Sequence, residues 1–173
     1  MQSAQWMVDK HVVKMIVESA QLLSTAHRVM DGTMSVIQGL KHKKKHWALP
    51  DHREDILYKA THVNHPSNVW TRTSVENYWW LVEHFAALLD EYTHRYGKKH
   101  KSSALLYDLQ SPPFNLKNFD RTEILLAMPK EYVLHNHPVL NYRNYYKQAK
   151  SKLHKWTNRQ PPHWINQKEL HYV

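Results

Sequence analysis

The chain has 173 residues, enough for one domain with a substantial core, and its length alone does not favour two. Its 24 Lys and Arg outnumber 15 Asp and Glu, a formal charge of +9, so the surface attracts polyanions and duplex DNA leads the candidate partners. The absence of cysteine excludes disulfides and Cys-ligated zinc; no run approaches the ~20 apolar residues of a membrane span, and the amino terminus lacks the pattern of a signal peptide, so a cytoplasmic protein without a membrane partner is expected.

Residues 3–30 predict one long helix, with Ser3 as N-cap and Asp31-Gly32 as the stop. Val8, Val12, Met15, Ser19, Leu22, Ala26 and Val29 recur at helical spacing on one face, and Val13, Ile16, Val17, Ala20, Leu23 and Met30 cover the adjoining faces. One line is polar throughout: His11, Lys14, Glu18, Gln21, Thr25 and Arg28. Two readings stand. The line is a solvated stripe stapled by a Lys14/Glu18 pair worth ~0.3 kcal/mol, or it borders a cleft in which a carboxylate beside an amine acts as acid, base or nucleophile.

Periodicity fails over residues 31–53, which read as an exposed loop carrying Lys41, Lys43, Lys44 and Lys45 with Trp47. The loop is either plain solvated surface or a phosphate-contacting segment with Trp47 as a stacking face. A short helix is expected over residues 55–61. A second long helix follows Asn64-His65-Pro66 and spans residues 67–96, with Tyr78, Leu81, Phe85, Leu88 and Leu89 on its apolar side and Gly97 as its stop. Arg72 lies on its polar side, while Trp70, Asn77 and His84 share a line that would approach the polar stripe of the first helix.

Residues 98–118 read as a surface connection with one helical turn near 103–109, and residues 121–127 as a short helix. Residues 139–156 interleave Tyr142, Tyr145, Tyr146 and Trp156 with Arg143, Lys147, Lys150, Lys152 and Lys155. They form either an amphipathic helix docking its aromatics into the core, or a surface offering cations to phosphate and rings to bases. The tail, residues 157–173, reads as irregular. The predicted whole is an all-α, compact single domain over residues 1–173, built on two long packed helices.

Fifteen histidines invite a metal site, but no His-Glu-x-x-His run or paired Glu-x-x-His motif is present. Three glycines in all make phosphate-cradling loops and nucleotide cofactors improbable. Neither a metal nor a cofactor is therefore expected, and a His-liganded metal enzyme is the weakest of the readings.

Three segments share an order with a known family. Asp9, His11 and Glu18 in VDKHVVKMIVE resemble the first-helix pattern of the phage-type pyrimidine-dimer DNA glycosylases and AP lyases. Asn64-His65-Pro66, with the following helix ending in LLDEYTHRYG, and Tyr142-Arg143-Asn144-Tyr145-Tyr146-Lys147 are similar to later segments of that family and its bacterial relatives. The resemblance implies a helical DNA-repair enzyme that bends DNA, flips a nucleotide out and attacks the sugar with an amine to form an imine, and a phage-encoded chain would act in the host cytoplasm. It assigns the catalytic glutamate to Glu18, with His11 and His65 beside it, and leaves the nucleophile to the α-amine of Met1 or to Lys14. An α-amine loses its proton more readily than a lysine, with reference pKa values of ~8 against ~10.4. Arg28, Lys41, Lys43, Lys44, Lys45, Trp47, Arg72, Tyr142, Arg143, Tyr145, Tyr146 and Lys147 are then the expected DNA contacts. The alternative is a non-catalytic, basic DNA-binding protein on the same scaffold.

Overall fold

The computed structural model describes residues 1–38 and 43–166. The protein is mainly helical, with one small two-stranded sheet: α1 (Gln2–Trp6), α2 (Asp9–Asp31), β1 (Thr33–Gln38), β2 (Lys43–Ala48), α3 (Arg53–Ile56), α4 (Pro66–Thr71), α5 (Val75–Tyr96), α6 (Leu106–Leu109) and α7 (Pro138–Ala149), with short 3-10 turns between and after the last helices. The expected turn of helix near residues 103–109 is α6, entered through a 3-10 turn at Lys101–Leu105.

The core lies between α2 and α5, which pack along each other as their periodicity requires. Val12, Ile16, Ala20, Leu23 and Ala26 of α2 meet Tyr78, Leu81, Val82, Phe85 and Leu88 of α5, and all of them are buried. The polar N–H groups at the start of α5 are met by Ser74, whose hydroxyl accepts from the Asn77 N–H at 3.1 Å. Gly97 ends α5 in the left-handed region at φ 64°, where a side chain would be strained.

Neither long helix runs unbroken as expected. Met7 and Val8 are extended and separate α1 from α2. The break is held by distant partners: the Val8 N–H donates to the Tyr146 hydroxyl at 3.2 Å, and the Asp9 N–H to the Lys155 carbonyl at 2.9 Å. The second helix divides at Arg72–Ser74, because Ser74 is extended and starts a new helix while the Val75 N–H bonds the Lys117 carbonyl. Donors freed by each break are satisfied elsewhere, which removes the usual penalty of interrupting a helix.

The expected loop at residues 31–53 is in large part an antiparallel hairpin, with Thr33 opposite Ala48, Met34 opposite Trp47, Val36 opposite Lys45 and Gln38 opposite Lys43. The all-α expectation is corrected to that extent. Gly32 joins α2 to the hairpin, and a Cβ there would lie 2.4 Å from the Arg28 carbonyl oxygen and 3.0 Å from that of Ala48, so only glycine permits this approach. Residues 55–61 do not form the expected helix; α3 precedes most of that stretch, and Leu57 is already extended. Residues 121–127 are not helical either: Thr122 is tied to Asn77 through both backbone and side chain, which holds the segment extended across α5.

The tail is better anchored than its composition suggests. Asp9 accepts from the Thr157 N–H and hydroxyl and from Arg95, and Arg159 pairs with Glu91. Trp164 is buried, while residues 167–173 fall outside the described residues. Among the described residues no helix is long and apolar enough to cross a membrane.

Candidate functional site

Five segments distant in sequence meet around a cavity of about 380 Å³: α1, one face of α2, the α4–α5 region, Ile124 with Leu125, and α7 with the tail. Trp6, Trp70, Trp80, Tyr142, Tyr146 and Trp164 supply most of its wall, together with Met15 and Leu22 from α2. The rings brace one another edge to face, Trp70 on Trp80 at 5.7 Å and Trp6 on Trp164 at 6.0 Å between centres. Such a wall suits a flat, apolar-faced ligand.

Its polar groups are few and placed. His84 stacks on Trp80 at 5.3 Å and shares a hydrogen bond with the Ser3 hydroxyl at 3.2 Å. Burial first, and then the positive amino terminus, push the His84 imidazole down to about 4, so it is neutral at physiological pH. The guanidinium of Arg143 lies over Trp6 at 5.1 Å and over Trp164 at 5.6 Å. Its Nε and the Trp164 indole N–H are enclosed without a hydrogen-bond partner.

Glu18 lies on α2 one turn from both Met15 and Leu22, which line this cavity, and is not itself part of the lining. Lys14 pairs with it at 3.1 Å, and both side chains are open to solvent, 64% and 40% exposed. A turn earlier, His11 Nδ1 lies 2.6 Å from the Tyr146 hydroxyl. The same hydroxyl accepts from the Val8 N–H at 3.2 Å, so it ties His11 to the start of α2. Burial raises Tyr146 to about 12 and lowers His11, the latter helped by Lys150 and Lys14 and opposed by Glu18. His11, Lys14, Glu18 and Tyr146 thus form one cluster beside the aromatic cavity.

Other expected site residues lie elsewhere. Arg28 is fully buried, which corrects its assignment as a DNA contact. Its five N–H bonds reach the carbonyls of Trp47, Glu54, Leu57 and Tyr58 and the Glu54 carboxylate, locking the hairpin base and α3 onto α2. Thr25, from the same stripe, is buried against Thr61. The polar line of α2 is therefore open at Lys14 and Glu18 and covered at its carboxy-terminal end.

His65 is exposed and caps α4 by accepting from the Ser67 N–H, so the structure gives it a local structural task away from the His11 cluster. Arg72 is half buried, with one terminal nitrogen enclosed and unpaired, and burial lowers its pKa. Tyr142 spans Leu125 and Ala127 through its hydroxyl, and Tyr145 packs on Tyr132 with the Lys150 ammonium over its ring. Lys147 is only partly exposed on α7. Lys43, Lys44 and Lys45 are exposed on β2 beside the half-buried Trp47, and Lys41 falls outside the described residues. The α-amine of Met1 acts electrostatically on His84, which puts it on the cavity side of the molecule.

A second cavity, about 500 Å³, lies between His27, Arg53, Asp108 and Phe114, but its charges are consumed internally. Arg53 binds Asp31 and Asp51 at 2.7 Å each, and His52 meets Asp108 at 3.0 Å. Among the described residues no group of three His, Asp or Glu side chains converges as a metal site. The chain matches no family model, no curated protein and no solved structure.

Sequence reasoning missed Trp6, Trp80 and Trp164 as site residues. The available signal was the number of tryptophans, seven in 173 residues, and the i,i+4 spacing of Trp80 and His84. Trp164 lies in the stretch read as irregular, where composition carries no hint of burial.

Proposed function

We propose that the protein is a base-excision enzyme of glycosylase and AP-lyase type acting on duplex DNA. The observation that carries this reading is the aromatic cavity with the His11, Lys14, Glu18 and Tyr146 cluster at its edge. A nucleotide turned out of the helix places its base among the Trp and Tyr rings, where stacking on an aromatic face contributes ~1–3 kcal/mol. The attached sugar then lies at the rim, next to Glu18.

In the chemistry we assign, an uncharged amine attacks the sugar C1′, and the bond to the base breaks with its electron pair leaving on the base, which takes a proton from solvent. Ring opening gives an imine, with the sugar oxygen taking up a proton. A base then removes a proton from C2′, the 3′ phosphate leaves, and water hydrolyses the imine. Glu18 stabilises the cationic sugar and accepts the C2′ proton. His11 fixes the Tyr146 ring through the hydrogen bond they share. The attacking amine is that of Met1 or Lys14; acetylating the amino terminus and changing Lys14→Met separate the two.

The exposed Lys14–Glu18 pair favours a second reading, since an i,i+4 ion pair open to solvent also arises on ordinary surface helices. In that reading the scaffold binds DNA without chemistry. Borohydride reduction with abasic-site duplex decides between them: the enzyme becomes covalently attached to DNA, and a protein that binds such DNA tightly yet forms neither adduct nor cleaved strand is not a lyase.

A further inference from the structure

The β1–β2 ribbon is built unlike the rest of the molecule. Every residue of β1 is exposed, including Met34 at 49%, Val36 at 55% and Ile37 at 49%. An isolated two-stranded ribbon is marginal in water, and one that leaves three large apolar side chains uncovered calls for a partner. The register distributes two kinds of group over both faces. Met34 and Val36 stand beside Trp47, Lys45 and Lys43 on one face, and Ile37 beside Lys44 and His46 on the other. No acidic residue occurs in either strand. A polyanion with apolar groups between its charges complements the ribbon.

We infer that this ribbon is a DNA-binding arm that lies in the major groove, its lysines on the flanking phosphates and Met34, Val36 and Ile37 against thymine methyl groups. Dimensions decide the groove. Six residues per strand extend ~20 Å, and a ribbon with side chains on both faces is ~10 Å thick, which matches a groove ~12 Å wide and exceeds one of ~6 Å. The root of the arm is firm, because Arg28 holds the Trp47 carbonyl at 3.0 Å and Gly32 lets the hairpin close onto α2. The inference goes beyond the base-excision reading and shares with it only the choice of duplex DNA as partner.

The test measures binding of the full chain to undamaged duplex, so it needs no turnover. Two duplexes are compared, one with thymine and one with uracil in its place, which removes only the methyl groups. Wild-type protein is expected to bind the uracil duplex about 3- to 10-fold more weakly. A Met34→Ser, Val36→Ser, Ile37→Ser variant should bind the thymine duplex about tenfold more weakly and lose the preference. Replacing Lys43, Lys44 and Lys45 by Ser should reduce the slope of log K against log salt by about 2.7, at ~0.9 per phosphate. Because serine substitution can loosen the strands themselves, a benzophenone side chain placed at Val36 in the otherwise unaltered chain provides a separate reading, and photocrosslinking to the duplex is expected. Equal binding of both duplexes by wild type, no crosslink, or a wild-type dimer that the apolar variant dissolves would overturn the inference. None of these outcomes touches imine trapping, and a failed trap leaves the arm intact.

Discussion

Arg28→Ala is expected to lower the unfolding temperature of the protein, because this guanidinium is a buried clamp. All five N–H groups of this guanidinium are used, at distances of 2.5–3.0 Å. Its side chain is fully buried and the partner carboxylate of Glu54 is 27% exposed. Truncation removes the donor from four backbone carbonyls, leaves the Glu54 carboxylate with only Lys59 and the Leu49 N–H, and opens a void the size of the side chain. Breaking one side of a buried pair costs ~3–5 kcal/mol, and for a chain of this length each kcal/mol lowers Tm by ~2–4 °C. The expected fall is therefore roughly 6–20 °C. Arg28→Lys recovers only part of it, because an ammonium cannot reproduce the planar fork. Thermal unfolding followed by circular dichroism measures the fall, and binding to duplex DNA below the transition is measured in parallel. A Tm within 2 °C of wild type would refute the reasoning, whatever the DNA affinity, since loosening the hairpin base alone can change binding.

Three further outcomes are expected. Glu18→Gln should retain Tm and DNA affinity while strand cleavage at abasic sites falls 10²- to 10⁴-fold, the usual range for a general base or charge stabiliser; unchanged cleavage removes Glu18 from the chemistry. Lys14→Met removes a positive charge that lowers the His11 pKa, so the His11 imidazole should titrate at higher pH in NMR spectra, and an unchanged titration would contradict the coupling of these side chains. His27 and His84 stay neutral in the fold to about pH 4 but take up a proton near 6.5 when unfolded, so the unfolded chain binds more protons between those values and stability falls as pH drops through that window. The loss is about 2 kcal/mol each by pH 5, measured by urea unfolding at pH 7 and 5, and a His84→Gln variant with the same pH dependence as wild type would sink this account.

Helical periodicity, turn chemistry and composition sufficed for the bodies of α2 and α5, the role of Gly97, the start of α4 at Pro66 and the strongly basic surface. These depend on interactions within a few residues, and the apolar spacing reports directly which face is buried. The breaks at Met7-Val8 and Arg72–Ser74 were not legible, because the partners that make them tolerable, Tyr146, Lys155 and Lys117, lie 42 to 146 positions away from the residues they bond and come close only in the fold. The hairpin escaped notice for a related reason: both of its faces are exposed, so it carries no alternation of buried and open positions to mark it.

Candidate site residues divide along the same line. His11, Lys14 and Glu18 share one stripe by helix geometry alone, and the structure keeps them together. Arg28 belongs to that stripe equally by spacing, yet residues 47–58 fold over it and convert a polar surface position into a buried clamp. No local rule distinguishes the two ends, since each is polar and at the right interval. The cavity is a tertiary product throughout: Trp6, Trp70, Trp80 and Trp164 come from separate segments, and their convergence follows from how α1, α5 and the tail pack, through contacts such as the Trp156 indole N–H on the Trp6 carbonyl at 2.9 Å. Sequence spacing determines which side chains share an element's face, because that is set by bonds along the chain. Which faces meet solvent, a ligand or one another is decided by packing between elements, because burial is a property of the assembled surface.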